Sequence, residues 1–318
     1  MKENREIYWH LPGFSVFFYL NQVIIHMLKE HPDKFRDGYR VGSVYGTFPG
    51  AIWNGGRAVF GITSHGDMEK VIKTYNDLDV PVRFTWTNSM IEEKHLNDTY
   101  CNLIMETADN GMNQVLVNTE ILEEYLREKY PDFKYISSTT KRLTSIDDIK
   151  RELDKGIRDS QDHVKDNDTK SESDYYLVVL DYDLNHDEKV LNELAPYADR
   201  IEILADEICF PNCPKRKAHY KSESLMQLRF ERAAPYDCPN KKTRPEFKEC
   251  MKRPAFISAD EVGEYADKWG YRNFKLVGRG LPMDMVLDSY VYYLVKQECR
   301  DEMRDRIVKQ LLKLGVKI

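Results

Sequence analysis

The feature that most constrains the fold is a regular alternation of short apolar runs with longer amphipathic stretches along the chain. The run at residues 176–181 is apolar over most of its length, which is typical of a parallel strand covered on both faces. The stretch at residues 67–78 repeats apolar residues every three or four positions, which predicts a helix. Eight strand candidates emerge, at residues 7–11, 40–45, 82–86, 114–117, 134–137, 176–181, 200–204 and 273–277.

Eight consecutive strand–helix units favour an α/β fold of one domain, a (β/α)8 TIM-like barrel over residues 1–318. Crossovers between parallel strands are right-handed, and eight of them in succession fit a closed barrel with room left for insertions. A doubly wound open sheet is the alternative, because alternation alone does not reveal closure. The barrel is favoured by the strand count and by the lack of a Gly-x-Gly-x-x-Gly turn after an early strand.

Two segments interrupt the alternation. Residues 158–174 are almost wholly polar, which predicts a surface excursion. Residues 205–259 form a long insertion after the seventh strand and carry four of the six cysteines. A connection this long inside a compact domain is usually functional, so we expect the insertion to bind a metal.

Composition and charge exclude several classes of protein. Lys plus Arg is 47 and Asp plus Glu is 53, a net charge of −6, which argues against a general coat for nucleic acid. Mean hydropathy is −0.61, and no run approaches the roughly 18 apolar residues of a membrane span. Residues 1–6 lack the tripartite pattern of a signal peptide. We expect a cytoplasmic protein with reduced cysteines and no membrane partner.

The cysteines of the insertion are the strongest chemical signal. Their spacing is Cys209-x3-Cys213-x24-Cys238-x11-Cys250. Four thiolates from one loop are a common way to hold an iron–sulfur cluster, because soft sulfur ligands suit iron. Zinc is the alternative, with His219 as a substitute ligand, although only the first cysteine pair has the tight spacing that zinc sites favour. Four unconnected structural cysteines are a third interpretation.

The insertion is also basic. Between Cys209 and Arg253 there are twelve Lys or Arg and five Asp or Glu, a local net charge of +7. This charge could steer an anionic substrate or RNA toward the site. It could equally offset four thiolates around a metal, and no interleaved aromatic signature of RNA binding accompanies it.

Two stretches near the end of the chain carry a family resemblance. Residues 200–214 read Arg-Ile-Glu-Ile-Leu-Ala-Asp-Glu-Ile-Cys-Phe-Pro-Asn-Cys-Pro, and residues 273–279 read Asn-Phe-Lys-Leu-Val-Gly-Arg before a long terminal helix. Together they resemble the collagenase-like peptidase superfamily of the U32 type, which includes oxygen-independent hydroxylases of ubiquinone precursors and of RNA. The resemblance implies a barrel with a late 4Fe–4S site, whose ligands would be Cys209, Cys213, Cys238 and Cys250.

Polar residues follow the predicted strands where the mouth of a barrel, the carboxyl ends of its strands, would lie. We expect catalytic roles for His10, Asp181, Asp183 and Arg279, as groups for proton transfer and anion binding. The glycine-rich loop at residues 46–57 reads as a substrate clamp. We expect substrate contacts from Asn54, Arg57, Asn88 and Asn118.

Each of these residues also has a purely structural interpretation. Asp181 and Asp183 could cap the following helix, and Asn88 and Asn118 could satisfy turn amides. His10 could be a hydrogen-bonded core histidine, and the glycine-rich loop could be a folded structural element.

The sequence as a whole predicts an iron–sulfur barrel enzyme for redox or hydroxyl-transfer chemistry on a small or RNA-borne substrate, with a protein partner or electron donor. One alternative is a peptidase-like hydrolase, although no Gly-x-Ser-x-Gly elbow and no His-Glu-x-x-His pair is present. The other is a zinc-stapled barrel that binds without catalysis.

Overall fold

Eight parallel strands close into a barrel in the order β1 to β8, and β1 pairs with both β2 and β8. The structure is a computed structural model that describes residues 6–154, 175–231, 246–278 and 280–317. The barrel and its strand count are confirmed, and the open doubly wound sheet is wrong. The strands are β1 Ile7–Pro12, β2 Tyr39–Gly46, β3 Val82–Trp86, β4 Gln114–Val117, β5 Lys134–Ser137, β6 Leu177–Val179, β7 Ile201–Leu204 and β8 Asn273–Lys275.

Helices follow the strands and cover the outside of the barrel. Ser145 caps α5 as its sequence pattern predicts, because its hydroxyl accepts a hydrogen bond from the Asp148 amide at 3.1 Å. In the described residues the helices are α1 Phe18–Glu30, α2 His65–Asn76, α3 Thr99–Ala108, α4 Glu120–Lys129, α5 Ile146–Leu153, α6 Glu188–Leu194, α7 Arg216–Arg229, α8 Phe247–Cys250, α9 Ala259–Trp269, α10 Met283–Leu294 and α11 Arg300–Lys313.

Side chains alternate between the two faces of each strand. The outward residues are large and apolar, and Trp9 on β1, for example, packs against Phe274 on β8 and Tyr293 on α10. The inward residues near the mouth form a small apolar cluster of Leu116, Ile136, Leu177, Val179 and Leu204.

Below this cluster the barrel interior is ionic. Arg83 on β3 and Glu202 on β7 form a fully buried ion pair. Glu202 precedes Leu204 on its strand, which places the pair toward the amino ends of the strands, beneath the apolar cluster. Lys275 on β8 reaches the same carboxylate at 3.4 Å. Buried charged side chains therefore fill the interior below the mouth.

The cysteine insertion follows β7 as predicted and contributes α7 and α8 before Ser258 caps α9. Cys238, Arg279 and the predicted excursion at residues 158–174 lie outside the described residues. Among the described helices, none combines the length and apolar character needed to cross a membrane.

Candidate active site at the barrel mouth

A cavity of about 110 Å³ lies at the mouth between the strand ends and the cysteine insertion. Polar side chains stand among the apolar surfaces of its walls, and it opens on the side where barrels carry their chemistry. The strands contribute Thr85, Leu204 and Lys275 among others, and the insertion contributes Glu207, Cys209, Arg216, His219 and Tyr220.

Helix α7 forms the roof of the cavity because polar side chains fasten it to the loop after β2. The Gln227 amide oxygen accepts from the Val59 amide at 2.7 Å, and its nitrogen donates to the Val59 carbonyl at 3.2 Å. Glu223 accepts from the Ala58 amide at 2.9 Å. The glycine-rich loop and the insertion are thus one unit, which closes the cavity from above.

Arg216, the first residue of α7, fastens the other end of the roof. Its Nη2 donates to both carboxylate oxygens of Asp181 at 2.7 and 2.8 Å and to Asp183 at 2.7 Å. The guanidinium also stacks on the Tyr182 ring, 4.0 Å from its centroid. Asp181 additionally caps the short turn after β6 by accepting from the Asp183 amide. Both carboxylates therefore hold the insertion, and neither lines the mouth cavity; their catalytic role stays a prediction.

Arg57 and His219 meet at the cavity wall. Nη1 of Arg57 lies 2.7 Å from Nε2 of His219. A guanidinium can only donate, so in this contact Nε2 of His219 is the acceptor. Arg57, one of the predicted substrate contacts, therefore lies in the cavity wall beside His219.

Cys209 also lines the cavity. Burial and the neighbouring Glu207 raise the pKa of its thiol to about 12, so the thiol is protonated at neutral pH in this arrangement. Cys250 is buried behind the cavity wall and donates from its thiol to the Asp206 carbonyl at 2.9 Å. Burial also raises the pKa of the Asp206 carboxyl, to about 7.

The described cysteines do not by themselves complete a metal site. Across residues 6–154, 175–231, 246–278 and 280–317, no three His, Cys, Asp or Glu side chains converge to hold an ion. Cys209 and Cys250 are close enough for the charge of one to raise the pKa of the other, whereas Cys213 lies partly exposed on the loop between them. The 4Fe–4S cluster and the zinc alternative both stay predictions, and no chemical step is derived through either.

His10 lies inside the barrel and does not line the mouth cavity. Nδ1 of its ring lies 2.8 Å from the Ser43 hydroxyl and 3.1 Å from Nη2 of Arg83. Burial and the charge of Arg83 lower the pKa of His10 to about 3, so the ring is neutral. The core-histidine interpretation describes this environment, and the expected catalytic position at the mouth is not observed.

The predicted asparagine contacts fall into two groups. Asn54 donates to the Arg57 carbonyl at 2.7 Å, and Asn88 donates to the Ile52 carbonyl at 2.8 Å, so both shape the glycine-rich loop from within. Neither lines the cavity. Asn118 donates to Thr140 at 2.7 Å and faces a neighbouring groove.

Sequence reasoning missed two cations at the cavity, Arg216 and Lys275. Lys275 carried a signal, since a lysine on an otherwise apolar strand is costly to bury unless a carboxylate pairs with it. Arg216 had no such signal in the sequence apart from its position three residues after Cys213. Nothing in the sequence indicates which carboxylates it pairs with.

Among solved structures, the U32 peptidase Mk0906 is similar to this chain. The two share 14% identity, the match covers 89% of this chain and 96% of that chain, and the TM-score is 0.48. At this identity the likeness concerns the fold alone, and no residue role is carried over. No family model and no curated protein matches the chain.

Proposed function

We propose that the protein is a barrel enzyme that acts on a small substrate, free or carried by RNA, in the mouth cavity beneath α7. One observation supports this most directly: the cysteine insertion closes over the carboxyl ends of the strands and contributes Cys209 to the cavity wall. In (β/α)8 enzymes the loops at this end supply the chemistry.

The polar groups of the cavity suit a hydroxylated or acidic substrate. Arg57 and Lys275 offer positive charge, and the hydroxyls of Thr85, Thr87 and Ser138 offer hydrogen bonds. Glu207 is the one carboxylate among the described lining residues, so it is the first candidate for moving a proton. A roof that excludes water strengthens each of these interactions.

The redox part of the proposal assigns the four cysteines of the insertion to a 4Fe–4S cluster beside the cavity. Cys209 and Cys250 are 41 positions apart in the sequence, yet the fold brings them near enough for the charge of Cys209 to raise the pKa of Cys250, which supports a shared site. Cys213 and Cys238 would complete the ligand set. When bound, such a cluster supplies one-electron chemistry, and an electron donor is then required.

Purification without oxygen, followed by iron, sulfide and zinc analysis and a visible spectrum, tests this assignment. We expect about four irons and four sulfides per chain, as a cubane cluster held by four cysteine thiolates requires. Single Cys→Ser variants at positions 209, 213, 238 and 250 should each lose the iron.

Cys299→Ser is the matched control, because Cys299 lies far along the chain in the turn before α11 and should keep the full iron content. One zinc per chain without colour would replace the redox assignment by the zinc-stapled binding module. If the protein contained neither metal, the cluster assignment would be wrong and the cavity alone would stay as the proposed site.

A further inference from the structure

A groove of about 900 Å³ lies on the outer side of the mouth, between α7 and the loop after β5. It adjoins the mouth cavity, because Thr87, Thr140 and Tyr220 line both. A ligand could therefore place one end in the cavity and the other in the groove. The proposed function makes no use of this groove.

The groove is cationic in an acidic protein. Its described lining includes Lys141, Arg142, Lys217 and Lys221 and no carboxylate, whereas the whole chain has a net charge of −6. Lys217 and Lys221 are one helical turn apart on α7, so their ammonium groups lie on the same face. Both are exposed, and neither forms an ion pair with any described residue.

The two remaining cations are held differently. Lys141 is bound by Glu152 at 2.6 Å, so its charge is already matched. Arg142 reaches Asp183 only at 3.7 Å, because Arg216 holds that carboxylate at 2.7 Å. Nε of Arg142 is buried 4.0 Å from Asp181 and has no hydrogen-bond partner among the described residues. The positive charge that faces the groove without a matching carboxylate among the described residues is therefore that of Lys217 and Lys221.

We propose that this groove binds the phosphate groups of a small phosphorylated substrate whose reacting end lies in the mouth cavity. The proposal rests on the proposed function for that cavity. Lysine, arginine and threonine hydroxyls are the groups that bind phosphate oxygens in proteins. The adjoining Thr140 and Thr144 add hydroxyls to the cations of the groove.

Size and charge favour a small ligand over a nucleic-acid strand. A volume of about 900 Å³ falls within the range of small-molecule sites. A surface that binds RNA along its backbone usually belongs to a basic domain, whereas this chain has a pI near 5.8. The described lining includes one aromatic ring, Tyr220, and stacking of successive bases needs more than one.

Isothermal titration of the full chain with inorganic pyrophosphate, at low and at physiological salt, tests the proposal. The double variant Lys217→Ala/Lys221→Ala should bind pyrophosphate about tenfold more weakly at low salt, because two charge-assisted contacts are lost. Lys309→Ala/Lys313→Ala is the matched control, since these lysines are also exposed and one turn apart on a 14-residue helix. It should leave binding unchanged.

Three results would overturn the proposal. These are no binding of pyrophosphate by the unaltered chain, an equal loss in the two double variants, and tight binding of a twelve-nucleotide RNA that pyrophosphate does not displace. The titration depends on neither the iron content of the protein nor its catalytic turnover. Failure of the cluster assignment would therefore leave this result intact, and failure of this result would leave the cluster assignment standing.

Discussion

Arg216 on α7 forms an ion pair with Asp181, just after β6, in which one guanidinium nitrogen lies 2.7 and 2.8 Å from the two carboxylate oxygens. The exposed fractions of the two side chains are 3% and 0%, so the pair is buried. The contact joins the cysteine insertion to the barrel and places α7 over the mouth. The geometry of the cavity therefore depends on this buried ion pair.

Replacing Arg216 by alanine should lower the free energy of unfolding by about 3–5 kcal/mol, because Asp181 and Asp183 would stay buried without their main partner. Urea unfolding followed by circular dichroism measures the change. Arg151→Ala is the matched control, since Arg151 pairs with Asp148 at 3.0 Å on the surface. Exposed ion pairs of this kind contribute less than about 1 kcal/mol to the free energy of unfolding. Equal losses in the two variants would contradict a buried anchor.

His10 should make a contribution to stability that is lost as the pH falls below neutrality, opposite in sign to the contribution of Asp206, whose pKa burial raises to about 7. The pKa of His10 is lowered to about 3 in the fold, against 6.5 in an unfolded chain, by burial and Arg83. Below pH 6.5 the unfolded chain therefore binds a proton at His10 that the folded chain does not bind. The contribution of the neutral His10 to stability is present above pH 6.5 and is lost on acidification. Between pH 7.5 and 5.0 the expected loss from this residue is about 2 kcal/mol.

Urea unfolding of His10→Gln at the same two pH values isolates this contribution. The variant should be less stable at pH 7.5, and its loss between the two pH values should be smaller than that of the unaltered chain. His26→Gln is the control, because His26 is exposed on α1 and should leave the pH dependence unchanged. The same change in stability between the two pH values in His10→Gln and in the unaltered chain would contradict the contribution of His10.

Gly55 is required by a close approach between the glycine-rich loop and the end of β3. A Cβ at this position would lie 2.2 Å from the Thr87 carbonyl oxygen, which is backbone and cannot move aside cheaply. Gly55→Ala should therefore lower the free energy of unfolding by about 3 kcal/mol and disturb the cavity wall.

Gly66→Ala provides the comparison for that substitution. Gly66 lies in α2, and nothing stands within 4 Å of its added Cβ. The change should stabilise the protein by up to about 1 kcal/mol through the higher helix propensity of alanine. Thermal melting of both variants checks that the two changes in stability have opposite signs. A Gly55→Ala variant as stable as the unaltered chain would contradict the close approach.

Gln227 should control how firmly α7 closes the cavity. Its amide binds both the N–H and the C=O of Val59 and also accepts from Asn54 at 3.2 Å, so Gln227→Ala removes three hydrogen bonds at a buried site. We expect faster hydrogen exchange at residues 58–59 and along α7, measured by mass spectrometry, with little change in β1 or β8. Gln310→Ala on the exposed face of α11 should change neither region. Uniformly faster exchange would indicate global destabilisation instead of a loosened roof.

The sequence by itself determined the local elements. Strand runs such as 82–86 and 114–117 coincide with β3 and β4, because the outward residues of each strand pack under the helices and are apolar, as Phe84 and Val115 are. The place of the insertion was equally clear, since its polar, cysteine-bearing stretch breaks the alternation after β7. These features depend on neighbours within a few residues.

Only the tertiary structure decided which distant side chains meet. Arg83 and Glu202 are 119 positions apart, and they pair because barrel closure turns both into the same interior. His10 falls into that interior and Asp181 under α7, so neither lines the cavity where we expected catalysis. Periodicity reports which face of a strand is buried and not what lies against it, and the partners of a buried charge are set by closure of the whole barrel.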